Sequence, residues 1–244
     1  MPESGAEHQE PVHAVMARGI SMKGPWGQVF APLDLDVEAG GVTVLTARPG
    51  PGQTALLMIL AGRMKPTTGT ITVFGRTKTR DIFGVSALAG VEQLDAVFES
   101  VTVRDLVTEQ CRWNARWYRL VRRATQTEYE ALCRPVFGEL PLPRLSAYVD
   151  QLDELDRLLL RIALANTARP PLLAVGDLDQ VASHRSRETL IRRLVALGEH
   201  QTLVTATVNP VADDLGIRAQ LPVAGLDDAG STEPVGIGEQ KGDD

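Results

Sequence analysis

The chain has 244 residues, 43% of them apolar, and a formal net charge of −6. That apolar content supports a full hydrophobic core and excludes wholesale disorder, at a length that fits one large domain or two small ones. The negative charge sits at the ends, −3 in residues 1–10 and −5 in residues 226–244; the body is close to neutral, too weak a basic footprint for a nucleic-acid-binding protein.

Residues 1–11 read as a flexible acidic tail, and MPESGAEHQE lacks the apolar core of a signal peptide. Val12, Ala14 and Met16 alternate and suggest an edge strand. Gly24-Pro25-Trp26-Gly27 is a turn. Leu33, Leu35 and Val37 alternate with Asp34 and Asp36 and predict a half-buried strand. Glu38-Ala39-Gly40-Gly41 then turns into a second strand, Val42 to Thr46. The stretch Ala47-Arg48-Pro49-Gly50-Pro51-Gly52-Gln53-Thr54 follows, and an apolar helical run from Ala55 to Ala61 comes after it, closed by Gly62. Strand, glycine loop and helix is the context of a phosphate loop, in which backbone N–H groups and a helix N-terminus face an anion. Against G-x-x-x-x-G-K-[ST], Gly52 and Thr54 fit, whereas Ala47 replaces the first glycine and Gln53 the lysine. A plain Gly/Pro turn between strand and helix is the alternative.

Pro66-Thr67-Thr68-Gly69 leads to a strand from Thr70 to Phe74, and a small-residue strand covers about 84–91, ending at Glu92-Gln93. Thr102 and Asp105 form a capping-box pattern at the start of a helix reaching about Arg123. Trp113, Trp117 and Leu120 share one face of it, and Arg112, Arg116, Arg119 and Arg123 another. The arginine face reads as a solvated surface, with lipid or nucleic-acid contact as the other option. Further helices are predicted over about 126–137, 152–168 and 186–197. Strands are predicted at 172–175, 202–207 and 220–224, with a helical turn at 211–215. Cys111 and Cys133 make neither a disulfide framework nor a metal spacing, as in a reduced compartment. No run approaches 18 apolar residues, so any work at a membrane goes through a partner. Strands alternating with helices give an α/β fold interrupted by a helix-only block at about 101–150.

The order and spacing of these landmarks over residues 12–225 resemble the nucleotide-binding domain of ATP-binding cassette (ABC) transporters. AlaArgProGlyProGlyGlnThr, AlaLeuLeuMetIleLeuAlaGlyArg and ProThrThrGlyThrIleThrValPheGly resemble the family's phosphate loop, its helix and the following strand. The resemblance implies a P-loop NTPase-like α/β core with a mixed sheet and a helical subdomain at about 101–150, between tails at 1–11 and 226–244. It places Trp26 as the aromatic residue against adenine, and Gly50, Gly52, Gln53 and Thr54 at the phosphates. Gln93 falls at the metal and attacking water, so Thr54 and Gln93 become the implied magnesium contacts. LeuAspGluLeuAspArg, 152–157, falls at the signature motif that reaches a nucleotide across a dimer. LeuLeuAlaValGlyAsp, 172–177, falls at the second phosphate-site strand, and ThrAlaThrValAsn, 205–209, at the switch histidine.

Several of those positions carry the wrong chemistry. Gln53 offers a neutral amide where a lysine charge is expected. Gly176 stands for the metal-site Asp and Asp177 for the catalytic Glu; a one-residue shift would instead make Asp177 the metal-site acid and leave Leu178 in the catalytic place. Asp153, Glu154 and Leu155 replace the signature Ser and glycines, and acids there would repel a phosphate. Val208 cannot act as the histidine, and Ser183 replaces the Asp of a dimer-contact loop. The expectation is an ATP- and Mg²⁺-binding subunit that hydrolyses weakly or not at all. It would be cytoplasmic at the inner face of the membrane, docked on a separate permease, and paired with itself or another ABC ATPase subunit. The alternative is a catalytically dead scaffold of the same fold. Nucleic acid is not an expected partner.

Overall fold

The computed structural model describes residues 12–91, 101–115 and 122–226. Strands β1 (His13–Gly24), β2 (Gly27–Glu38) and β4 (Thr68–Val73) form a three-stranded antiparallel sheet in the order β2-β1-β4. Strands β3 (Gly41–Thr46), β5 (Ser86–Ala89), β6 (Leu172–Asp177), β7 (Thr202–Thr207) and β8 (Ala219–Pro222) form a second sheet in the order β5-β6-β7-β3-β8, with parallel pairings throughout. Helix α1 (Pro51–Leu60) follows β3 directly and packs between the sheets. Its Leu56, Leu57, Ile59 and Leu60 are all buried, which is why its sequence is apolar all round rather than amphipathic.

A parallel sheet covered on both faces needs apolar residues on both. Strand β6 sends Leu172 and Ala174 to the α1 side and Leu173 and Val175 to the other. The far side is covered by α4 (Gln126–Phe137), α5 (Glu154–Ala165) and α6 (His184–Gly198), whose apolar residues join one core. Helices α3 (Val103–Asn114), α4 and α5 follow one another in the chain between β5 and β6. Both α3 and α4 open on complete capping boxes, Thr102 with Asp105 and Thr125 with Glu128.

The structure departs from the sequence reading in several places, each for a local reason. Strand β1 is central in its sheet, not an edge. Val12 and Met16 are exposed, while Ala14, Val15, Ala17 and Ile20 are buried; irregular pairing near His13 and after Ala17, where Gly19 has φ of 56°, breaks simple alternation. Helix α1 begins at Pro51, not Ala55, because proline's fixed φ suits the first helical position. A short helix, α2 (Thr79–Phe83), has too few residues to show a period and was not foreseen. Helix α3 stops at Asn114, and Trp113 is 78% exposed rather than packed. Arg116, Trp117, Arg119 and Leu120 lie outside the described residues. Asp153 is not inside α5 but caps it, its Oδ1 accepting from the Asp156 N–H at 2.7 Å.

Candidate functional site

The carboxyl ends of parallel strands are where α/β folds gather ligands. Here the residues after β3, β5 and β6 enclose a cavity of about 300 Å³. Pro49, Gly50 and Pro51 line it from the glycine loop, Gln53 and Thr54 from α1, and Val91, Gly176, Asp177 and Gln180 from the facing strand ends.

The loop side is built for an anion. Gly50 caps α1 with extended backbone, and a Cβ placed on it would meet nothing within 4 Å, so its backbone is open to a ligand. No side chain caps α1 and no acid sits in its first turn, which leaves the positive end of the helix unopposed from within. Pro51 removes one backbone donor from that turn. Gln53 is 6% exposed, and its Nε2 is buried with no hydrogen-bond partner. A buried unpaired amide costs about 1–3 kcal/mol unless something accepts from it, so this donor in the cavity wall calls for an acceptor. Gly52 serves packing instead: a Cβ there would lie 3.0 Å from the Val29 carbonyl oxygen and 3.2 Å from that of Leu226.

The facing wall is locked by contacts that sequence reasoning missed. Gln180 Nε2 donates to the Gly90 carbonyl at 2.7 Å and to the Asp177 carbonyl at 3.0 Å, stapling the end of β5 to the turn after β6. At Gly176 a Cβ would lie 2.1 Å from the Gly90 carbonyl oxygen, so Gly90's backbone fills the space a side chain would need. Strand β6 also carries one extra residue: Ala174 pairs with Val204, but Asp177, not Gly176, pairs with Ala206. This bulge advances Asp177 to the place that residue 176 would hold in unbroken register. Asp177 Oδ1 accepts from the Asp179 N–H at 2.8 Å. Its burial, with the Asp179 carboxylate nearby, raises its pKa to about 6.

Asp179 ties the strand ends together. Its Oδ2 accepts from the Val208 N–H at 2.6 Å and Thr207 Oγ1 at 3.0 Å, and its Oδ1 pairs with Arg187 of α6 at 3.0 Å. Glu154, at the start of α5, accepts from the Ala182 N–H at 2.7 Å. The Asp-x-Asp spacing at 177–179 is the one signal that could have flagged part of this wall, the side-chain-to-backbone turn from the Asp179 N–H to Asp177 Oδ1.

Gly50, Gln53, Thr54 and Asp177 therefore share one cavity, as their sequence positions suggested. Gly52 stands behind it. Trp26 does not line it; that residue is fully exposed at the tip of the β1–β2 hairpin. Gln93 lies outside the described residues. A phosphate fits the donors present, given the open Gly50 backbone and the unpaired Gln53 amide. A magnesium ion finds a thinner set, the Thr54 hydroxyl and the Asp177 carboxylate, and no cluster of three metal-binding acid, His or Cys side chains occurs among the described residues.

A family model described as ABC transporter matches residues 30–174. A Rhizobium meliloti protein named as a ribose/galactose/methyl galactoside import ATP-binding protein is 28% identical over 82% of this chain and 40% of its own length. The cytochrome c biogenesis ATP-binding export protein CcmA of Pseudomonas putida is 29% identical over 67% of this chain and 73% of its own. The chain spans less than half of the sugar-import relative, and 35% of a Streptomyces coelicolor protein named as an ABC transporter ATP-binding protein. A bacterial ABC transporter cassette solved as a dimer superimposes with a TM-score of 0.65 at 14% identity, covering 85% of this chain and 94% of that one. At that identity the superposition speaks for the fold alone.

Proposed function

The chain belongs to the ABC transporter family, and on that premise we propose that it is an ATP-binding subunit that holds nucleotide at the β3–α1 loop and hydrolyses it slowly or not at all. One observation carries the binding half: the Gln53 amide, buried and unpaired, in a cavity at the open end of α1. A bound nucleotide supplies the oxygens that amide lacks. Gly50, Gln53 and Thr54 hold the phosphates, and Thr54 and Gln93 are the magnesium contacts. Trp26 would meet adenine only if the hairpin tip bends toward the loop, since it now stands in solvent.

The weak-hydrolysis half rests on the facing wall. The β6 bulge favours the shifted alignment, with Asp177 as the metal-side acid and apolar, buried Leu178 in the place of a base. Gln53 provides about 1 kcal/mol less to a phosphate than a charged donor would. The acids at the start of α5 are committed internally, Asp153 to the Asp156 N–H and Glu154 to the Ala182 N–H, so they give a phosphate across a dimer nothing to bind.

Among the described residues no helix is long and apolar enough to cross a membrane. In this reading the membrane work belongs to a separate permease, on whose cytoplasmic side the subunit docks, paired with itself or a second ABC ATPase. Equilibrium titration of the purified protein with ATP, with and without magnesium, tests the binding. Turnover is measured alone and with a co-expressed permease. No binding at millimolar nucleotide overturns the reading and leaves an empty-site scaffold in its place.

A further inference from the structure

The amino ends of β5 and β6, opposite the cavity, carry charge of one sign. Arg63, Lys65, Arg76, Lys78, Arg80 and Arg169 are all exposed there. Backbone contacts gather them. A Cβ on Gly62 would lie 2.4 Å from the Phe83 backbone nitrogen, so the end of α1 rests on α2. Arg63 Cζ sits 4.3 Å from the centre of the Phe83 ring, and that ring is still 48% exposed. Lys78 is the N-cap of α2 and Arg80 lies within it, while Arg76 exchanges backbone hydrogen bonds with Val73 at the end of β4. The Leu172 N–H donates to the Val85 carbonyl at 3.1 Å, which sets the turn at Arg169 beside the exit of α2. Among the described residues none of the six cations forms an ion pair, and Asp81 is the one acid between positions 63 and 83. The chain as a whole is −6, so the excess is local. Helix stabilisation does not account for it: a helix dipole favours cations after α1 but disfavours them at the start of α2.

We propose that this edge is a lipid-contacting surface, its cations meeting the anionic headgroups of a bilayer with the Phe83 ring at the interface. The inference goes beyond the nucleotide reading and does not need it; family membership alone puts the chain to work beside a bilayer. Like charges crowded without partners repel one another, and an anionic surface relieves that repulsion. Each Lys or Arg at such a surface strengthens partitioning by about fivefold, over a range limited by a Debye length of about 10 Å at 0.1 M salt. Long cationic stems and an exposed aromatic ring suit the headgroup layer, where apolar bodies are covered and charged tips stay wet. The ten residues of α1 hold this edge about 15 Å from the glycine loop, so the two sites are tested separately.

The test pellets the full-length chain with vesicles of phosphatidylcholine alone and of phosphatidylcholine with phosphatidylglycerol, at low and high salt. The wild-type chain is expected to partition into the anionic vesicles at low salt and to leave them at high salt. One variant combines Lys65→Gln, Arg76→Gln, Lys78→Gln and Arg80→Gln, all exposed and unpaired. It is expected to lose at least about twentyfold in partitioning. A charge-matched variant, Arg122→Gln, Arg144→Gln, Arg185→Gln and Arg192→Gln, removes four exposed cations elsewhere and is expected to stay close to wild type. Equal losses in both variants assign the effect to net charge and overturn the surface. In the wild-type chain, anionic vesicles are expected to shield Lys65 and Lys78 from an amine-acylating reagent; unshielded lysines on bound protein overturn the assignment without recourse to a variant. Wild-type protein that binds a poly-glutamate peptide but not the vesicles has an acidic protein partner on this edge, and the lipid assignment falls. Failure of ATP to bind removes the nucleotide reading and leaves this one standing.

Discussion

In the proposed nucleotide site, a single exchange at position 53 sets how firmly a phosphate is held. Converting a neutral amide donor to an ammonium strengthens one hydrogen bond by about 1 kcal/mol. Gln53→Lys should therefore tighten ATP five- to tenfold by calorimetry while turnover stays at background, because no charge at 53 creates a base at Leu178. Asp156 gives a second reading at this scale. Burial and the Asp153 carboxylate raise its pKa to about 6. A folded-state pKa above the unfolded value means the folded protein binds the proton more tightly. The group is then tolerated below about pH 4 and destabilises as pH rises toward 6. Because it is only half-buried, solvent screening holds the effect to the order of 1 kcal/mol at most. Asp156→Asn should raise Tm at pH 8 by a few degrees and leave it unchanged at pH 4; an equal gain at both pH values would refute the assignment. The identities of Gly50, Gln53, Thr54 and Asp177 as neighbours were legible in the sequence because strand–loop–helix order brings them to one sheet edge. The lack of a partner on Gln53 was not, since pairing depends on what the far strands place opposite.

Among the elements, the ends of β5, β6 and β7 form a linked set. Gln180 staples β5 to the turn after β6, Thr205 Oγ1 donates to the Gly176 carbonyl at 2.8 Å, and Asp179 binds β7 and α6 together. Gly176→Asp would restore a carboxylate on paper, yet its Cβ collides with the Gly90 backbone. The expected outcome is a loss of about 2–3 kcal/mol in denaturant unfolding with no gain in ATP hydrolysis. Asp179→Ala leaves the Val208 N–H without its acceptor, breaks the ion pair to Arg187, which keeps the Val181 carbonyl, and removes one of two acceptors from the Thr207 hydroxyl, which keeps the Asn209 carbonyl. It should cost about 2–4 kcal/mol by the same measurement, whereas Asp179→Asn, which keeps an acceptor, should cost less. Sequence periodicity located most strands and helices, and the residues of α4 and β7 were read to their ends. It failed where structure is set by pairing rather than pattern, in the irregular course of β1 and the bulge in β6, and at α2, whose five residues are too few to show a period. The bulge matters most, because one extra residue decides which of two neighbouring positions carries the acid, and no local preference in Val175-Gly176-Asp177 announces it.

For the molecule as a whole, the two sheets and the helices beyond them make a cassette whose layers were legible from the alternation of strand and helix signals. How the ends of the chain bear on the site was not, because no motif lies there. Gly52 is enclosed by the backbone of Val29 on one side and Leu226 on the other, residues nearly the whole chain apart. During synthesis the glycine loop leaves the ribosome early, but the surface that seats its first helical turn is completed only when Leu226 has emerged. The proposed nucleotide pocket is thus among the last parts of this protein to mature, and a nascent chain cut short after β7 would display the motif without the wall behind it.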